Sequence, residues 1–200
     1  MFERYDESAR RVLFFARFEA SQVGRMSIET EHLLLGLLRE GKGLTARLLS
    51  TPPLSPEAIR GGVERRIELR DPVSTSIEIP FSEDTKRVLL RAVEEADALG
   101  SHSIRPEHLL LGILREEKSL AATVLLALGA NIRTLREAIA SDKGGTQPAD
   151  DGRAAELRES LVHLAMMVQD VAVGETLAER TRRARDVNGA IEAFAQRFLR

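Results

Sequence analysis

Residues 24–40 read GRMSIETEHLLLGLLRE, and residues 100–116 read GSHSIRPEHLLLGILRE. The two segments align without a gap when the residue numbers are shifted by 76, and 12 of their 17 positions are identical. The same offset continues outside the segments, where Val12-Leu13 matches Val88-Leu89. Internal similarity that holds one register over such a length indicates a duplicated structural unit.

The two predicted repeats run from residue 6 to about 69 and from residue 82 to about 141. Within the repeated block the apolar residues follow an i, i+1, i+4, i+5 pattern, which is typical of a helix buried along one side. We predict four helices in each repeat and an all-α fold. The helix starts are indicated by N-cap residues and by the first residues of the repeated helix: Asp6, Thr30, Ser55, Ser82, Pro106 and Asn131.

The composition favours an aliphatic helical core and excludes several kinds of site. The chain is 43% hydrophobic but only 4% aromatic, which favours a core of Leu, Ile, Val and Ala. It has no cysteine, so disulfides and thiolate metal sites are excluded. The net charge of −2 and the pI of 6.1 argue against a nucleic-acid partner. No apolar stretch approaches about 20 residues, so we expect no membrane partner and a cytoplasmic protein.

The chain continues beyond the second repeat. Residues 142–153 are rich in Gly, Pro and Asp, which predicts a flexible linker. Residues 154–200 are predicted to form a C-terminal helical extension of one or two helices. Its apolar residues step by three and four in two short seams, Leu157, Leu161, Leu164, Val168 and Val171, then Ala184, Val187, Ile191, Phe194 and Phe198. A homodimer formed through these helices is therefore one hypothesis.

The duplicated EHLLLG block and the opening MFERYDESARRVL resemble the double Clp-N (Clp repeat) domain at the N-terminus of Clp AAA+ unfoldases, most closely the ClpC type. The resemblance covers roughly residues 1–141 and leaves out the tail. It implies a pseudo-twofold pair of four-helix bundles that recruits substrates and adaptor proteins for the unfoldase. Since no ATPase module follows, we expect a stand-alone double Clp-N protein.

The resemblance also implies a ligand. ClpC-type members can bind phosphorylated arginine, whose guanidinium group contacts the glutamate of each Thr-Glu-His motif. By position, this role falls to Thr30 and Glu31 in the first repeat and to Glu107 in the second, where Pro106 replaces the threonine. The chemistry is reasonable, because a carboxylate can hold a guanidinium group through two parallel hydrogen bonds.

Three hypotheses of function remain open from the sequence. The first is a non-catalytic module without cofactors that binds proteins or peptides, its partners being a Clp unfoldase, its adaptors or arginine-phosphorylated substrates. The second is a self-associating regulatory or scaffold protein that dimerises through its C-terminal helices. The third is an enzyme centred on the two Glu-His pairs, which we disfavour because neither an HExxH motif nor a third metal ligand at helical spacing accompanies them. Glu31 and Glu107 also fit as helix-start acids that complement the helix dipole.

Overall fold

The computed structural model describes residues 3–74 and 78–142, and this part of the chain forms eight α-helices. All eight belong to one compact unit. The first repeat contains α1 (Glu7–Gln22), α2 (Thr30–Glu40), α3 (Gly43–Leu49) and α4 (Pro56–Glu64). The second contains α5 (Glu83–Ala98), α6 (Pro106–Arg115), α7 (Leu120–Ala127) and α8 (Ile132–Ser141). The predicted all-α class is confirmed, whereas the linker after Asp142 and the predicted helices of the extension lie outside the described residues.

The helices begin at the capping residues that the sequence indicated. Asp6 Oδ1 accepts a hydrogen bond from the backbone N–H of Ala9 at 2.7 Å. Ser55, Ser82 and Asn131 cap their helices in the same way, through side-chain oxygens that accept backbone N–H groups of the first turn. Each of these bonds satisfies a donor that a helix start otherwise leaves unpaired.

Glycine allows the first two helices of each repeat to cross closely. A Cβ atom at Gly36 would lie 2.5 Å from the carbonyl oxygen of Val12, and one at Gly112 would lie 2.6 Å from that of Val88. Both obstacles are backbone atoms, so no rotamer change could relieve the clash. Because the two pairs are related by the offset that aligns the two segments, the repeat in the sequence is also a repeat in the packing.

A buried carboxylate ties three helices together in each repeat. In the first repeat, Glu19 on α1 accepts a hydrogen bond from Arg39 on α2 at 2.9 Å and lies 3.8 Å from Arg60 on α4. The counterparts in the second repeat form the same cluster: Glu95, Arg115 and Arg136. A second ion pair is duplicated at the same offset, as Arg11–Glu40 and Arg87–Glu116. The duplication therefore extends to the electrostatics of the core.

The repeats join by exchanging their N-terminal segments. Tyr5 forms an isolated parallel bridge with Ile104, and Phe81 forms the equivalent bridge with Ile28. Backbone hydrogen bonds of 2.7–3.1 Å flank both bridges. Each bridge maps onto the other when the residue numbers are shifted by 76, so the contact has the reciprocal character of a twofold interface.

The connector between the repeats contains no helix where the structure describes it, and its prolines disfavour helical backbone in the residues that precede them. Ile79 of the connector is buried. In the described ranges, none of the helices combines the length and the apolar character that spanning a membrane would require.

Candidate functional site

The predicted ligand residues lie in the first turns of α2 and α6. Thr30 and Pro106 are the first helical residues, so Glu31 and Glu107 occupy the second position of their helices. At this position an acidic side chain interacts favourably with the positive end of the helix dipole. The helix start alone would therefore account for a glutamate here. Whether the carboxylate can also bind a ligand depends on the groups that surround it.

Both sites lie where the two repeats meet. The bridge between Ile28 and Phe81 brings the segment before α5 next to the chain entering α2. The bridge between Tyr5 and Ile104 brings the segment before α1 next to the chain entering α6. Each candidate site is thus built on a helix of one repeat and bordered by the N-terminal segment of the other.

His32 and His108 fix the starts of these two helices. In each case the imidazole Nδ1 accepts the backbone N–H of the residue three positions earlier, at 2.9 Å. Both side chains are fully buried, and burial lowers the pKa of each to about 4. At neutral pH both rings are uncharged, with Nδ1 as the acceptor and the proton on Nε2.

The two histidines therefore serve as caps of their helix starts. Nδ1 is occupied by the backbone, and Nε2 is buried without a hydrogen-bond partner in the described part of the chain. Neither nitrogen is available to accept a substrate proton or to bind a metal. Within residues 3–74 and 78–142, moreover, no group of three or more His, Asp or Glu side chains is arranged to hold a metal ion.

Glu31 is a buried carboxylate in the first turn of α2. Its exposed fraction is 8%, and none of the ion pairs within 4 Å among the described residues involves it. Its side-chain contact is the hydroxyl of the buried Thr30, which donates to Oε2 over 3.4 Å. Burial is the main cause that raises the pKa of Glu31, and the nearby charge of Glu29 raises it further, while a hydrogen bond from its own backbone N–H, the Thr30 hydroxyl and the charge of Arg25 lower it. The ionised form is therefore only partly compensated.

Glu107 has a cation beside it. Its exposed fraction is 5%, and the Nε atom of Arg105 lies 2.9 Å from its Oε1. The Nε–H bond does not point at a partner, so this contact is an ion pair and not a well-aligned hydrogen bond. Burial again raises the pKa of Glu107, and the charge of Arg105 lowers it. Asp6 and Asp142 lie near enough to raise it as well.

The residue two positions before each glutamate distinguishes the sites, and our sequence analysis missed it. The alignment of the repeats pairs Glu29 with Arg105, so one site carries an additional negative charge and the other a positive charge. The motif comparison concerns Thr30 and Pro106, which lie inside the motif. The signal was present in the alignment of residues 24–40 with 100–116, where Glu29 and Arg105 are one of five mismatches.

Comparison with known proteins agrees with this architecture. A family model described as the Clp repeat (R) N-terminal domain, Clp_N, matches residues 4–128 and, in a second match, residues 94–167. The chain belongs to the Clp_N family. The resemblance stated from the sequence is confirmed. Because the second match extends to residue 167, the limit of the Clp_N repeats at about residue 141 stays a prediction.

The relatives of this Clp_N chain include ClpC proteins. The chloroplastic chaperone protein ClpC1 of Oryza sativa subsp. japonica is 44% identical over 137 residues, which are 67% of this chain and 15% of the relative. The negative regulator of genetic competence ClpC/MecB of Bacillus subtilis is 31% identical over 200 residues, or 98% of this chain and 24% of the relative. The chain therefore spans less than a quarter of the length of these relatives.

A solved structure shares the Clp_N fold. The N-terminal domain of the caseinolytic protease associated chaperone ClpD from Arabidopsis thaliana superposes with a TM-score of 0.55 at 33% sequence identity. The match covers 69% of this chain and 93% of the ClpD domain. The match therefore takes in nearly the whole of that ClpD domain.

Proposed function

We propose that this Clp_N chain is a non-catalytic module that binds proteins or peptides on behalf of Clp-type proteolysis. Its partners would be a Clp unfoldase, the adaptors of that unfoldase or arginine-phosphorylated substrates. Glu31 would hold the guanidinium group of the ligand beside Thr30, with Glu107 at the equivalent position of the second repeat. The observation that supports this proposal is the buried Glu31 carboxylate, with which no cation of the described residues forms an ion pair.

An unpaired buried carboxylate favours the binding of a cation. Removing an ion from water costs free energy unless a partner of opposite charge and good hydrogen bonds replace the lost solvent. A guanidinium group provides both, since it carries a permanent charge and presents two parallel N–H donors to a carboxylate. The cost that Glu31 imposes on the free protein would therefore be offset when a ligand binds.

Calorimetric titration of phosphoarginine tests the proposal. We expect micromolar binding to the wild-type chain and binding about 10- to 100-fold weaker to Glu31→Gln, because a hydrogen bond to a charged group contributes about 1.5–3 kcal/mol. Glu57→Gln is the matched control. Glu57 also occupies the second position of its helix, α4, but it is exposed, so its replacement removes the same charge without affecting the site.

Two results would contradict the assignment. Absence of binding to the wild-type chain would reduce Glu31 to a helix-start residue. Equal weakening by Glu57→Gln would show that the titration reports on net charge instead of a contact at α2. Binding should also weaken on acidification at a pH above the ordinary range of a glutamate, because the raised pKa of Glu31 leaves fewer chains with an ionised carboxylate.

Affinity capture tests the wider role. The full chain and its Glu31→Gln variant would be used as baits in lysates with and without prior treatment by a protein-arginine phosphatase. We expect the wild-type bait to enrich a Clp unfoldase, its adaptors or arginine-phosphorylated proteins, with the last class lost on phosphatase treatment and with the variant. If both baits captured the same proteins, their binding would not depend on Glu31.

A further inference from the structure

The second site already contains a guanidinium group, and it belongs to the chain itself. The Arg105 side chain approaches the buried Glu107 carboxylate to 2.9 Å, the separation expected for a guanidinium ligand on such an acid. Arg105 is the N-cap residue of α6 and has extended backbone angles, φ −110° and ψ 166°. In this conformation the arginine reaches the acid in the first turn of the helix that it precedes.

The first site has no such internal partner among the described residues. At the position equivalent to Arg105 stands Glu29, whose carboxylate accepts the hydroxyl of Ser27 at 2.6 Å. Glu29 adds negative charge near Glu31 instead of neutralising it. The two sites therefore differ in charge, since Arg105 lies against Glu107, whereas no cation of the described residues forms an ion pair with Glu31.

We propose that Arg105 is a built-in competitor that occupies the second site, so that the chain binds a single guanidinium ligand, at Glu31. This inference rests on the proposed function, because it assumes that the glutamates bind guanidinium groups. A competitor two positions away acts at an effective concentration in the millimolar range, as short tethers do. A ligand that binds Glu31 with micromolar affinity would have to displace this tethered group from Glu107, so only the Glu31 site would fill at micromolar ligand concentrations.

The geometry of the pair also indicates that it can be displaced. The Arg105 Nε–H is buried without an aligned acceptor, and about a third of the side chain remains exposed. Such an ion pair is weaker than two parallel hydrogen bonds between a carboxylate and a guanidinium group. Removing Arg105 should therefore open the second site to an external ligand.

The stoichiometry of phosphoarginine binding to the full chain tests this inference. We expect one ligand per wild-type chain, two per Arg105→Ala chain and one per chain of the Arg105→Ala/Glu107→Gln double variant. Arg105→Gln, which keeps a long polar side chain at the helix start, should also bind two ligands and guards against misfolding of the alanine variant. Arg133→Ala is the control, since Arg133 is exposed in the first turn of α8.

Each outcome separates the inference from the proposed function. Two ligands on the wild-type chain would overturn the inference and leave the function intact. One ligand on both the wild type and the Arg105 variants would do the same, since Arg105 would not be what blocks the second site. No binding by any variant would overturn both the inference and the proposed function.

A second experiment needs no ligand. Arg105→Ala should raise the pKa of Glu107 in a carboxyl NMR titration, because the arginine charge lowers it. An unchanged pKa of Glu107 in this variant would show that Arg105 and Glu107 do not form an ion pair.

Discussion

The two buried histidines should make this fold sensitive to mild acid. Each has an ordinary pKa of 6.5 that burial lowers to about 4 in the folded chain. A lowered pKa means that the folded state binds the proton less readily than the unfolded state, so acidification favours unfolding. The stability associated with the neutral rings is fully present above about pH 6.5 and is lost as the pH falls towards 4.

The size of this effect follows from the shifts. One pKa unit corresponds to about 1.4 kcal/mol, so each histidine contributes about 3–4 kcal/mol and the pair about 7 kcal/mol over the whole window. Near pH 5 the unfolded chain carries up to two more protons than the folded one, which gives a slope of up to about 2.7 kcal/mol per pH unit. A domain of ordinary stability, about 5–15 kcal/mol, would lose much of it in this range.

Three carboxyl groups act in the opposite direction at lower pH. Burial raises the pKa values of Asp6, Glu31 and Glu107, so the folded chain binds these protons more readily than the unfolded chain does. Their protonation adds stability as the pH falls through the raised values. The contribution of the histidines is therefore measured as the difference between the wild type and a variant that lacks both, because the carboxyl contribution is common to the two proteins.

The decisive experiment is urea unfolding at several pH values between about 7.5 and 5, for the wild type and for His32→Gln/His108→Gln. Glutamine at the third helical position can accept the N-cap N–H as the imidazole does, but it does not titrate. We expect the variant to lose most of the pH dependence, while His102→Gln, at an exposed position, keeps the wild-type slope. A double variant with an undiminished slope would refute the argument.

Further predictions concern packing and polar groups in the core, and urea unfolding at neutral pH checks them all. Gly36→Ala should lower the free energy of unfolding by about 1–3 kcal/mol, because the new Cβ atom would clash with backbone. Gly61→Ala should raise it by up to about 1 kcal/mol, because the new Cβ atom would meet only the movable tip of an arginine side chain at 3.2 Å. Thr45→Val should gain about 1 kcal/mol, because its buried hydroxyl has no hydrogen-bond partner in the described ranges. Arg136→Ala should cost about 1–3 kcal/mol because it removes two hydrogen bonds from buried Glu95. Shifts of opposite sign would contradict these assignments.

A separate prediction tests whether Glu31 serves binding at the expense of stability. Glu31→Gln replaces an only partly compensated charge by a neutral amide of the same size, so the variant should unfold at a higher temperature than the wild type. The difference should shrink as the pH is lowered, since acid neutralises the wild-type side chain too. A variant that melts at a lower temperature at neutral pH would show that the charge at the helix start outweighs its burial.

The fold was predictable because its determinants are local and occur twice. Asp6 and Ser82 are capping residues whichever side chains surround them, and the apolar pattern of residues 24–40 identifies a helix without knowledge of its partner. The exchange of Tyr5 and Phe81 between the repeats was not predictable in this way. It depends on backbone hydrogen bonds between segments that lie far apart in the chain, and no side-chain pattern encodes those partners.

The state of each candidate site was even less accessible to sequence analysis, since motif comparison attends to residues inside the motif. It compared Thr30 with Pro106, but the threonine hydroxyl contacts the Glu31 carboxylate of its own chain, so its loss does not decide whether a cation is present. That depends on position 29 or 105, outside the motif. An arginine there neutralises the buried acid only because the extended N-cap conformation directs it back onto the helix start. Two repeats with the same fold and the same Glu-His pair can thus differ in whether a cation of the chain lies against the buried glutamate, because residue 29 or 105 is fixed by neither the fold nor the motif.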